Sequence, residues 1–189
     1  MDRRELLQWL VATGGLSAFN RLSPRDLSAL GEEAHRRPRP LDGVALTLDA
    51  QEMRTVAAAA EAIIPRTSTP GATDAGVSAF VDLMLAEWYP AGDVERFRAG
   101  LQALDAASQT RTGALFADAT SAQQVAHLKD IDALVAALRR TPSAAVSDHW
   151  FAMLKYLTVW GYCTSEVAMR ETLHSYPPAM QYDGFAPVG

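Results

Sequence analysis

Apolar side chains recur at three- and four-residue spacing along most of the chain, the period of helices that bury one face. Met53, Val56, Ala57, Ala60, Ile63 and Ile64 form the clearest stripe, and Asp49 with Glu52 supplies the D-x-x-E spacing of a capping box ahead of it. Pro65 stops that helix. Phe80, Val81, Met84, Leu85 and Trp88 predict a second helix from about Val77 to Tyr89, punctuated by Pro90 and Gly92. Val94, Phe97, Leu101 and Leu104 predict a third, closed by the Thr/Gly stretch around Arg111 to Gly113. Ser121 with Gln124 has capping-box spacing and opens a fourth through Val125, Leu128, Ile131, Leu134, Val135 and Leu138, with Pro142 beyond its end. The fifth, from about Ser147 to Leu173, carries two stripes: Trp150, Met153, Leu157, Trp160, Thr164 and Val167, and Phe151, Leu154, Thr158, Tyr162, Ser165 and Met169. A helix apolar on two sides is expected to pack on the domain with one and on a partner with the other.

Breaks in the pattern set the organisation. Pro65 to Gly76 holds two prolines, two glycines and four hydroxyl residues, an ordered or functional loop. Arg36 to Gly43, with two prolines, three arginines and an Asp-Gly turn, reads as a linker. Ser175 to Gly189, with Pro177, Pro178, Gly184 and Pro187, reads as an extended strap. At the amino terminus Arg3 and Arg4 precede a mildly apolar run from Leu6 to Phe19 that contains Gly14 and Gly15, the layout of a twin-arginine export signal. The same leucines also fit an amphipathic helix with solvated arginines. No A-x-A cleavage site follows. The expectation is an all-α fold: a compact bundle of about five helices, with residues 1–22 as signal or helix, 23–45 as a linker holding the Arg/Pro-rich stretch, 46–189 as the helical domain, and the strap at its end.

Composition narrows the chemistry. The 189 residues carry 17 Lys and Arg against 22 Asp and Glu, and a net charge of −5 disfavours a phosphate-tracking surface, so no nucleic-acid partner is expected. Cys163 is the single cysteine, which leaves no CxxC redox pair, thiolate zinc cage or cysteine-ligated cluster within this chain. It is either a buried small hydrophobe or a thiol for an intersubunit bridge. No Gly-rich phosphate loop, H-E-x-x-H, nucleophile elbow or C-x-x-C-H occurs, so neither a cofactor nor a metal is expected in this chain. His35, His127, His149 and His174 lack metal-ligand spacing with one another and read as surface or helix-end residues. Glu166, beside Thr164 and Ser165 in the aromatic helix, is either a structural carboxylate or a general base. Eight aromatic residues fall in the last 40 positions. Of these, Trp150, Trp160, Tyr162, Tyr176, Tyr182 and Phe185, together with Cys163, form the expected partner interface, since Trp and Tyr are the side chains that anchor such surfaces.

The order of Arg3-Arg4, Ala62-Ile63-Ile64-Pro65, Thr69-Pro70-Gly71-Ala72, Ala75-Gly76-Val77, Phe80-Val81-Asp82-Leu83-Met84-Leu85, Gly161-Tyr162-Cys163-Thr164-Ser165-Glu166 and Tyr182-Asp183-Gly184 resembles the gluconate 2-dehydrogenase subunit 3 family, over roughly residues 46 to 187. The resemblance implies a noncatalytic small subunit of a membrane-bound, FAD-dependent sugar or sugar-acid dehydrogenase. It implies a large FAD-binding subunit as partner, a multihaem cytochrome c as a further one, and a role in folding and twin-arginine export of the flavoprotein. The location implied is the periplasm or the periplasmic face of the inner membrane. Two other readings come from the residues alone: a stand-alone exported helical domain holding a small ligand between its last helix and the Pro65 to Gly76 loop, and an enzyme using Glu166 or His149.

Overall fold

The computed structural model describes residues 23–36, 46–138 and 149–174, and these form seven α-helices and no strand. The helices are α1 (Pro24–Arg36), α2 (Ala50–Ile63), α3 (Val77–Glu87), α4 (Ala91–Thr112), α5 (Ser121–Leu138), α6 (Trp150–Thr164) and α7 (Glu166–Glu171), with a short 3-10 turn at Phe116–Asp118 between α4 and α5. The all-α expectation therefore holds.

Local chemistry sets the helix ends. Asp49 and Glu52 form the expected capping box, each carboxylate accepting the other residue's backbone N–H at 2.8 and 2.9 Å. The chain reaches α2 through the buried Asp82 of α3, whose carboxylate accepts the N–H groups of Leu46, Thr47 and Leu48 at 2.6, 3.0 and 2.9 Å. Gly76 turns into α3 with φ of 66°, and Gly113 ends α4 with φ of 76°, a backbone region that favours residues without a Cβ. The box before α5 sits one residue earlier than expected, on Thr120 and Gln123. Gln124 instead donates to the Phe116 carbonyl at 2.9 Å, a tertiary contact that chooses between two frames equal in sequence.

The long fifth helix is two helices. Ser165 swings to an extended ψ of 144°, its hydroxyl donating to the Tyr162 carbonyl and accepting from the Ala168 N–H, so one side chain ends α6 and caps α7. At the other end His149 caps α6, its Nδ1 accepting from the Phe151 N–H at 3.2 Å.

α6 is the axis of the molecule. Every residue from Phe151 to Tyr162 is buried, and each of the other six described helices packs on it. Both of its stripes are thus covered by the chain's own helices, which corrects the expectation that one of them faces a partner. α1 supplies part of that cover. It lies within the segment read as a linker, yet it packs on α3 and α6: the Trp160 indole donates to the Leu27 carbonyl at 2.9 Å, and His35 Nε2 donates to the Gly161 carbonyl at 2.7 Å while its ring stacks on Phe80. Gly31 permits the approach, since a Cβ there would meet Thr164 at 2.5 Å. The Arg/Pro-rich residues 37–40 lie outside the described residues.

Candidate functional site

The exposed feature with most internal order is the loop between α2 and α3. The Ala72 N–H closes its neck on the Ile64 carbonyl at 2.9 Å. Inside, the Glu61 carboxylate accepts the N–H groups of Arg66 and Thr73, both at 2.8 Å, and Asp74 accepts the Gly71 N–H at 2.9 Å while pairing with the Arg66 guanidinium. Burial by itself would raise the Glu61 pKa, but the hydrogen bonds from Thr73 and Arg66 outweigh it and hold the carboxyl below its ordinary value. Gly71 is required sterically: a Cβ there would meet the Arg66 backbone nitrogen at 2.6 Å and overlap the Glu61 carboxylate. The loop's other anchor is Tyr162 of α6, whose phenol donates to the Pro70 carbonyl at 2.7 Å and meets the Thr172 hydroxyl, just past α7, at 2.8 Å. One buried phenol therefore joins the loop, the central helix and the end of α7. The tip, Pro65 to Ser68, is exposed and held from below, so it can meet a partner without a large ordering cost.

A cleft of about 580 Å³ opens between α1 and the α6–α7 corner. It touches the loop only through Ala75, and its arginines, Arg36 and Arg170, are already paired with Glu32 and Glu166 at 3.3 and 2.8 Å. Among the described residues no group of three or more His, Cys, Asp or Glu is placed to hold a metal, and no helix is long and apolar enough to cross a membrane.

The residues singled out in the sequence divide by location. Trp160 and Tyr162 are 2% and 1% exposed, so they are core and loop anchor rather than contact surface. Trp150 is half-buried against α4, where a Cβ on Gly100 would overlap its indole ring. Cys163 is a free, half-buried thiol whose pKa burial pushes up to about 11, which keeps it protonated and slow to react. Glu166 is 73% exposed and ion-paired with Arg170 one turn away, and His149 is occupied as a helix cap with its pKa lowered by burial. Arg3, Arg4, Tyr176, Tyr182 and Phe185 lie outside the described residues. Glu61, Asp74 and Asp82 escaped the sequence reading, because a carboxylate that accepts loop N–H groups carries no motif; only its place beside a Gly/Pro-rich loop hinted at the role.

A family model described as Gluconate 2-dehydrogenase subunit 3 matches residues 50–183. No curated protein and no solved structure matches the chain.

Proposed function

The chain belongs to the gluconate 2-dehydrogenase subunit 3 family, and from that membership we propose that it serves as the noncatalytic small subunit of a periplasmic, FAD-dependent sugar-acid dehydrogenase. In this reading the large subunit binds FAD and oxidises the substrate, and a multihaem cytochrome c takes the electrons. This chain assists the folding of the flavoprotein and carries it through the twin-arginine route on Arg3 and Arg4. The extent of the family match supports the proposal most directly, since it runs from the first residue of α2 past the end of α7. The preformed 65–76 loop adds the kind of rigid surface an accessory subunit needs.

Affinity purification of the tagged full chain from its native host tests the reading. A large yellow chain with flavin absorbance, recovered in stoichiometric amount, is the expected result. Recovery of this chain alone, or FAD bound to it without a second chain, overturns the proposal. The second reading, a stand-alone domain for a small ligand, draws on the 580 Å³ cleft, whose size lies within the range of small-molecule sites. Purification without any large chain or flavin would favour it.

A further inference from the structure

His127, read from the sequence as a surface or helix-end residue, is buried at 4% exposure on the first half of α5, where that helix meets α4 and the 3-10 turn. Two contacts fix its ring. The Arg111 guanidinium of α4 donates to Nδ1 at 3.5 Å, and the ring meets Phe116 of the turn edge to face with centroids 6.3 Å apart. A guanidinium has only N–H groups to offer, so Nδ1 presents its lone pair and the neutral ring carries its proton on Nε2. That Nε2 is buried with no hydrogen-bond partner among the described residues. One turn earlier Gln124 donates to the Phe116 carbonyl at 2.9 Å, so α5 grips the turn by a hydrogen bond and a ring. Other charges on the surrounding elements are engaged elsewhere: Asp118 of the turn with Arg54 of α2, Asp105 of α4 with Gln51, Thr55 and the Phe116 N–H, and Lys155 of α6 with Asp132. Arg111 and Asp130, themselves paired at 2.8 Å, are the charges that act on the imidazole. Burial and then Arg111 disfavour the charged ring more than Asp130 favours it, so the His127 pKa lies below its ordinary 6.5.

We propose that His127 is an acid-sensitive latch: neutral, it holds the first half of α5 and the 3-10 turn on α4, and protonated, it releases them. Protonation places a second N–H on the ring at Nδ1, the nitrogen that faces the guanidinium. A lone pair that accepted from Arg111 becomes a donor opposed to a donor, two positive charges are brought into contact, and the buried Nε2–H still has no acceptor. The ring relieves this by leaving the junction for water, and the Phe116 contact goes with it. The stabilisation from the neutral ring is complete above about 6.5 and is lost as pH falls toward the lower folded-state pKa. The latch is a property of this chain's own fold and is independent of the small-subunit reading.

Amide hydrogen exchange of the purified full chain at about pH 7.5 and about pH 5, read as protection factors beside an NMR titration of the His127 imidazole, tests the latch. The Glu61 carboxyl, with its pKa below 4.5, stays charged across this window. The 3-10 turn and the first half of α5 should lose protection severalfold at the lower pH relative to α6, with His127 titrating below 6.5. His127→Gln, which cannot take the charge, should keep its protection there. Arg111→Met, at an exposed position, should move the His127 titration upward, because Asp130 then acts on the ring without the guanidinium. Protection that is flat across the window in the wild type overturns the proposal, as does a His127 that titrates at or above 6.5. An equal loss in His127→Gln and the wild type also overturns it, and assigns the acid response to another group, first His149 at the start of α6. Should His127→Gln be unfolded at the higher pH, Arg111→Met decides alone, and a His127 titration that it leaves unmoved overturns the latch.

Discussion

At the scale of single residues, polar groups rather than apolar ones give this domain its most specific contacts. The Tyr162 phenol is buried, which raises its pKa, and it serves the Pro70 carbonyl and the Thr172 hydroxyl together. Removing the oxygen leaves both without that partner, so Tyr162→Phe should cost about 1–3 kcal/mol in urea unfolding with helical content retained. An unchanged midpoint would show that the phenol is not an anchor. Glu61 makes the loop pH-dependent in a stated direction. Its folded-state pKa lies below the ordinary 4.5, so its stabilisation is complete above that value and is lost as pH falls toward the folded pKa. Glu61→Gln should therefore lose stability at neutral pH and flatten the acid limb of the stability profile. Parallel acid limbs for the two proteins would exclude Glu61 as the titrating group.

At the scale of elements, close approach decides what each helix tolerates. Gly161 lets Phe80 of α3 lie against α6, where an added Cβ would be 2.6 Å from the ring. Ala is a better helix former than Gly by about 1 kcal/mol, yet overpacking costs about 1–3 kcal/mol, so Gly161→Ala should destabilise. Gly92, near the start of α4, has nothing within 4 Å of its would-be Cβ, and Gly92→Ala should stabilise by up to about 1 kcal/mol. Thermal melts of the two variants should move in opposite directions. The residues that carried these effects were only partly legible beforehand. The α2 capping box and the Gly113 stop are local and were visible in four or five residues. The break at Ser165 was not, because an apolar period continues through it, and the hydroxyl's turn onto the Tyr162 carbonyl depends on surroundings that period does not encode. Glu166 therefore moved from a presumed core helix to an exposed ion pair.

At the scale of the whole molecule, the question is how a domain with a filled core meets a partner. Trp160 and Tyr162 are spent inside, so the proposed partner contact is left to other surfaces, the 65–76 loop and the Tyr176, Tyr182 and Phe185 segment read as an interface from sequence. The proposed export has its own test. Lys in place of both Arg3 and Arg4 should trap this chain and the flavoprotein together in the cytoplasm, measured by fractionation and dehydrogenase activity of the periplasmic extract. Undiminished periplasmic activity would show that the arginines are not the address.

By itself the sequence determined the helical class, the α2 to α5 helices to within a few residues, the loop at 65–76 and the family, because each depends on short-range periodicity, on Gly and Pro punctuation, or on ordered motifs that survive without coordinates. Tertiary structure alone decided which apolar side chains are interior and which are surface. The two stripes of the aromatic helix are compatible with one partner or none. They became core because α1, placed in a presumed linker, folds back as a helix over Trp160 and Gly161. It decided equally that Glu61, Asp74 and Asp82 organise backbone, since such roles arise when residues come within hydrogen-bonding distance through the fold.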